Sequence, residues 1–200
     1  TIMINPAQIT DYNRSHAELE EFLLFGIMVA GKKSAVEAPK LDRFLSDLRE
    51  RYGEQLLASM SGTPFQLIRF AKAEGTLLDI MKEHAISPYR QRYNSFCDAV
   101  QIFDLRACNL SRLMKVRGVG LKTARFFLSH SREDFDEPML DTHILSWLRD
   151  QGYTGAPQAT PQNEGVYNYY ANVFKSLARQ LGQSVTDLDL TIWKQYSKTN

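Results

Sequence analysis

Lys122 stands two positions beyond a Gly118-Val119-Gly120 turn, and Asp141 follows nineteen residues later, just ahead of an apolar pair, Ile144-Leu145. An unprotonated lysine amine is a nucleophile that can displace a leaving group from an electrophilic carbon and then form a Schiff base there. Desolvation, or the neighbouring Arg125, is expected to help release its proton. An aspartate at a helix N-cap is held ionised by backbone N–H groups and the helix dipole. It can steady positive charge in a transition state, or accept a proton from the lysine. The two glycines permit positive backbone angles and let another backbone come close. The turn also exposes the unpaired N–H groups of the next helix, an anion site suited to a phosphate and blind to any base sequence. Val119 is expected to fold back into the core, Thr123 to add a hydroxyl, and small Ala124 to let two helices approach. Taken singly, these are a tight turn, a surface lysine and an ordinary cap; their joint occurrence is the signal.

The elements that must position these residues read as helices. Helical periodicity dominates and strand alternation is nearly absent, so the fold class expected is all-α. Ser15 and Glu18 fit a capping box opening a helix through Leu19, Phe22 and Val29, with Gly31 ending it. A second stretch runs from about Val36 to Tyr52, and shorter helices fit Pro64–Ala73 and Thr76–His84. Ser87-Pro88 supplies an N-cap and first-turn proline for a helix in which Tyr89, Tyr93, Phe96, Val100 and Phe103 recur at helical steps. From Arg106 to Asp150 two short helical segments are interrupted by the glycine turn and then by an acidic loop, 131–138. A long helix follows from about Asn163 to Leu181 with Val166, Tyr170, Val173, Leu177 and Leu181 in register, and a last one spans Val185–Tyr196. One unit over 1–200 is expected, with a middle lobe at about 76–150 and another lobe from about 1–75 plus 160–200.

Composition narrows the class further. With 44% hydrophobic residues and no run of about 18 apolar ones, the chain reads as soluble and globular with no membrane partner. Residues 1–10 do not resemble a secretory signal. Cys97 and Cys108 alone support neither a disulfide framework nor a four-cysteine cluster, which points to a reducing cytoplasm. The four histidines show no paired ligand spacing, so neither a catalytic metal nor a cofactor is expected. The net charge is only +1, yet residues 69–125 carry eleven Lys and Arg against five acids. A basic middle between slightly acidic flanks suits a phosphate-binding face.

The turn, Lys122 and the Leu140-Asp141-Thr142-His143-Ile144-Leu145 stretch resemble the signature of the helix-hairpin-helix DNA glycosylase superfamily. Within it the chain looks like the small 8-oxoguanine DNA glycosylase/AP lyases of the second, archaeal and bacterial, type. Tyr89-Arg90-Gln91-Arg92 and Leu188-Asp189-Leu190-Thr191-Ile192-Trp193 are similar to two further segments of that family. The resemblance implies two helical lobes with an active-site cleft between them, Lys122 as nucleophile, and Asp141 as the carboxylate at the reacting sugar. It also implies phosphate binding by Gly118, Val119, Gly120 and Thr123, and a monovalent cation on turn carbonyls near Gly118 and Gly120. Lys32 and Lys33 are phosphate candidates in the preceding loop. Trp193 is carried over as a candidate for the pocket of an extruded base; Phe126, one turn after Lys122, offers it a flat apolar face. Gly31 lies where the family places an amide side chain, which leaves the lesion and the opposite base open. The implied partner is double-stranded DNA with a damaged base, bound by a monomer in a prokaryotic nucleoid. Two other readings are the same chemistry on a different modified base and a non-enzymatic DNA-docking module, against which Asp141 counts.

Overall fold

The computed structural model describes residues 4–5, 9–57 and 62–196. Among these residues there are ten helices and no strand, as the periodicity predicts, and no helix is long and apolar enough to cross a membrane. The chain forms two compact units, residues 1–119 and 120–200.

The first unit is built around α1 (His16–Val29), whose capping box pairs Glu18 N–H with Ser15 Oγ at 3.3 Å and Ser15 N–H with Glu18 Oε2 at 2.7 Å. Phe22, Leu23, Leu24, Phe25 and Ile27 are wholly buried, so α1 is apolar nearly all round, as a central helix must be. Around it pack α2 (Ser34–Leu57), α3 (Pro64–Ala73) and α5 (Tyr89–Ala99), with α4 (Leu77–Glu83) against α3 and α5. Two buried charges tie these helices to α1. The Glu20 carboxylate accepts the Phe65 N–H at 2.8 Å, a negative group at the positive end of α3. Arg92, 4% exposed, donates to the carbonyls of Ile27 and Met28 at the C-terminal end of α1, where helix carbonyls lack partners. The Tyr-Arg-x-Arg segment thus has a structural second arginine.

Helix α5 stops at Ala99, short of the expected Phe103, which is 93% exposed. Its N-cap is Pro88 with no side-chain cap bond, one residue later than expected. After α6 (Leu110–Leu113), capped by Asn109, the turn uses its glycines unequally. Gly118 has φ +79°, and a Cβ there would lie 3.0 Å from Ser95 Oγ. Gly120 has ordinary extended backbone (φ −96°) and open space where its Cβ would be. Val119 is buried.

The second unit holds α7 (Leu121–Ser131), α8 (Thr142–Asp150), α9 (Glu164–Gln180) and α10 (Val185–Tyr196), with α10 packed on both α8 and α9. The buried stripe of α9 is Tyr167, Ala171, Phe174 and Ala178, one residue along from the predicted register. Val166 and Leu181 are exposed, because the stripe is set by Tyr167 and by Phe174 against Trp147, ring centroids 5.6 Å apart.

Glu21, 6% exposed on α1, has its carboxyl pushed up to about 7 by burial, with the Arg49 charge opposing. Between its ordinary value and about 7 the folded state keeps a proton that the unfolded chain has lost, so stability falls as pH rises through that window and levels off above it. Glu21→Gln is expected to raise the melting temperature at pH 8 by at least about 3 °C, the shift that about 1 kcal/mol gives in a chain of this size. Thermal unfolding at pH 4.5 should show a clearly smaller gain.

Candidate active site

Helix α7 opens at Gly120, an N-cap with no side chain and therefore no side-chain acceptor for the first amides of the helix. Lys122 is its second residue, with a side chain 50% exposed. Burial therefore does not strip water from this ammonium in the free protein, contrary to the desolvation expected. Arg125 is not arranged as a free charge beside it either. Its guanidinium lies 4.3 Å from the centre of the Tyr167 ring, with Nη2 donating to Asn168 Oδ1 at 3.3 Å.

Asp141 caps α8. Its Oδ1 accepts the N–H groups of His143 and Ile144, both at 2.9 Å, while Oδ2 faces Lys122 Nζ at 4.0 Å. One oxygen is thus occupied by the helix and the other is turned to the lysine. The chain entering this cap is held along its length. Tyr167 donates from its hydroxyl to Pro138 O at 2.9 Å and accepts the Leu140 N–H at 3.0 Å. Burial pushes this phenol up to about 12, so it stays protonated and able to donate. Thr160 Oγ1 donates to Leu140 O at 2.8 Å, Ser129 Oγ to Glu137 O at 3.0 Å, and Lys175 pairs with Glu137 at 2.7 Å.

Asp189, half-buried on α10, accepts a backbone hydrogen bond from Met139 and bears electrostatically on Asp141 and Lys122. Its carboxyl is pushed up to about 7, first by burial and then by the negative charge of Asp141; the Met139 hydrogen bond and the Lys122 charge oppose this. The start of α10 is pinned by Asp136, whose two oxygens accept the N–H groups of Val185 and Thr186, each at 3.3 Å. Nothing in the sequence reading gave Asp189 a function. The available signal was a carboxylate four residues after Val185 and three before Ile192, both on the buried face of α10.

Phe126, one turn after Lys122, is partly buried with its ring 5.0 Å from that of His130. Trp193, one turn after Asp189, is 50% exposed. Thr123 is partly exposed and Ala124 buried in the first turns of α7. Gly31, Lys32 and Lys33 belong to the first unit. Gly31 has φ +73° and open space at its Cβ position, so there the backbone turn is what demands glycine. Lys32 donates to the Ser87 carbonyl and lies 3.8 Å from Glu37, whereas Lys33 is exposed. Among the described residues no group of three or more His, Cys, Asp or Glu could hold a metal ion.

Tyr167→Phe deletes the hydroxyl that serves both Pro138 O and Leu140 N–H. The variant is expected to lose about 1–3 kcal/mol, the usual cost of stranding buried polar groups. Denaturant unfolding checks the loss, and hydrogen exchange should show faster opening at the Leu140 amide.

No protein-family model matches the chain. An 8-oxoguanine DNA glycosylase/AP lyase of Saccharolobus solfataricus is 36% identical over 89 residues, which is 44% of this chain and 42% of that protein. One of Thermoplasma volcanium is 36% identical over 78 residues, 39% of this chain and 36% of that one. The matched stretch spans less than half the length of these relatives. Among solved structures, the Methanocaldococcus jannaschii 8-oxoguanine glycosylase/lyase in complex with DNA containing 8-oxoguanine superposes with a TM-score of 0.64. That match has 18% identity and covers 96% of this chain and 87% of the other. A second structure of the M. jannaschii enzyme gives a TM-score of 0.60 at 20% identity. Over nearly its whole length the chain therefore has the fold of the helix-hairpin-helix DNA glycosylases, and over part of it a sequence similar to archaeal 8-oxoguanine DNA glycosylase/AP lyases.

Proposed function

We propose that this protein is a bifunctional DNA glycosylase/AP lyase that removes 8-oxoguanine, or a related oxidised purine, from duplex DNA. The observation that carries the reading is Lys122 Nζ held 4.0 Å from Asp141 Oδ2, on a helix entered through an uncapped glycine turn. The names and fold of the archaeal relatives support the same class.

In this mechanism the target nucleotide is extruded from the duplex so that its sugar can be reached. The lone pair of the neutral Lys122 amine attacks C1′, and the C1′–N9 bond breaks with its electron pair leaving on the base, which takes up a proton. Positive charge builds on the sugar ring as that bond stretches, and the Asp141 carboxylate stabilises it. The lysine adduct then loses a proton, the C1′–O4′ bond opens with O4′ protonated, and C1′ is left as a Schiff base on Nζ. Loss of a C2′ proton expels the 3′ phosphate by β-elimination. The amides at the start of α7 and the exposed Lys33 bind backbone phosphates, while Phe126 and Trp193 are apolar surfaces for the extruded base. The enzyme acts as one 1–200 unit, a monomer in a prokaryotic nucleoid.

A second reading keeps this chemistry and changes the lesion. It is favoured by Gly31, which brings no amide side chain to the end of α1.

Borohydride trapping on single-lesion duplexes tests both readings. Wild-type protein should form a covalent adduct with 8-oxoguanine DNA, Lys122→Gln should form none, and Asp141→Asn should bind DNA but release base about 100-fold more slowly. Trapping that survives in Lys122→Gln would refute the nucleophile, and adducts with another lesion alone would establish the second reading. The unequal glycines give a separate check on phosphate binding. Gly118→Ala should cost about 1–2 kcal/mol of stability through its positive φ, whereas Gly120→Ala should fold normally yet bind DNA several-fold more weakly, measurable by fluorescence anisotropy.

A further inference from the structure

Arg125 lies one turn after Lys122 on α7 and is only 5% exposed. A guanidinium keeps its charge under all conditions in which the chain is folded. Among the described residues Arg125 forms no ion pair, and its Nε and Nη1 have no hydrogen-bond partner. A buried charge without a counter-ion weakens a fold, so stability alone is a poor reason for this residue.

What Arg125 touches supplies a better one. Its guanidinium lies 4.3 Å from the centre of the Tyr167 ring and Nη2 donates to Asn168 Oδ1 at 3.3 Å, so one side chain of α7 grips two consecutive residues of α9. A cation over an aromatic face is attracted by the ring, and more strongly when both are out of water. The Tyr167 ring is wholly buried, and its hydroxyl meets Pro138 O at 2.9 Å and the Leu140 N–H at 3.0 Å. Leu140 directly precedes Asp141, whose Oδ2 lies 4.0 Å from Lys122 Nζ. The contacts therefore close a ring, from Arg125 through Tyr167, Leu140, Asp141 and Lys122 and back along one turn of α7. Resting on the reading of Lys122 as the nucleophile, we propose that Arg125 is a positioning residue for base release: through Tyr167 it places the Asp141 carboxylate, so that α7 sets both the nucleophile and the charge it faces.

Arg125 makes and breaks no bond in this role. Lys122 and Arg125 share a single helical turn, so a shift of α7 carries the Tyr167 ring, the Leu140 amide and Asp141 along with the lysine. The spacing of amine and carboxylate is preserved as a result. A planar guanidinium suits the task, because it can lie flat on the ring while Asn168 takes one of its N–H groups. A lysine there would keep the charge and lose the plane.

The test is single-turnover base release from an 8-oxoguanine duplex at saturating protein, read beside DNA affinity and melting temperature, with all variants folded. Arg125→Met should melt no lower than wild type, because the uncompensated charge is gone. It should bind DNA within about twofold of wild type yet release base about tenfold more slowly, since small misplacements of reacting groups are costly. Arg125→Lys should regain part of that rate. In a Tyr167→Phe background Arg125→Met should slow release by less than about a further twofold, because the hydroxyl through which it acts is already missing. In the free protein, hydrogen exchange at the Leu140, His143 and Ile144 amides should be faster in Arg125→Met. A wild-type rate in Arg125→Met, a rate loss matched by lost DNA affinity or by a lowered melting temperature, or losses that multiply with Tyr167→Phe would each overturn the role while leaving Lys122 as nucleophile. Should wild-type protein release no base, the functional reading fails instead, and unchanged exchange at the three amides would separately refute the placing of Asp141 by Arg125.

Discussion

Asp141 carries two obligations with one carboxylate, and the second unit is organised around keeping them compatible. Oδ1 satisfies two of the amides that every helix start leaves unpaired, and Oδ2 meets the Lys122 ammonium. An N-cap of this kind is worth about 0.5–2 kcal/mol. Its geometry is therefore maintained by helix stability whether or not a substrate is present. In the proposed reaction this charge would be positioned in advance, with little reorganisation left to make. Lys122 is fixed less tightly: its backbone belongs to the first turn of α7, while its long side chain is half in water.

The supports of this cap come from α7, α9, α10 and the loop before α9. Ser129 from α7 and Lys175 from α9 hold Glu137, Tyr167 from α9 holds Pro138 and Leu140, and Thr160 in the loop before α9 holds the Leu140 carbonyl. Met139 is held by Asp189 of α10. Four consecutive residues before Asp141 are thus each fixed by at least one polar side chain, Tyr167 serving two of them. A loop without regular structure is held in place by this means, because backbone groups all along it have side-chain partners.

Local signals were legible in the sequence and long-range ones were not. The capping box of α1 and the N-cap of α8 involve residues two or three positions apart, and both form as read. The stripe of α9 was misread by one residue because several apolar side chains fit each register at a period of 3.6. Tyr167, with a hydroxyl to satisfy, chose between them by reaching a loop nearly thirty residues earlier. Arg125 looked like a charge for Lys122 on spacing alone, yet an aromatic face on α9 claims it. Of the candidate site, Lys122 and Asp141 could be named from spacing, since a turn and a cap are local devices. Asp189 depends on α10 packing against α8, a tertiary fact with only an oddly placed carboxylate as its trace.

Sharing one carboxylate between the helix and the lysine also sets the geometry of Lys122. Its backbone is fixed at the second position of α7, and its Nζ meets Asp141 Oδ2 at 4.0 Å. Because Oδ1 is committed to the His143 and Ile144 amides, the carboxylate cannot turn away from that meeting without uncapping α8, at a cost of about 0.5–2 kcal/mol. The cap therefore aims the lysine as well as the helix, and in the proposed reaction the amine and the stabilising charge would be aligned before substrate binds.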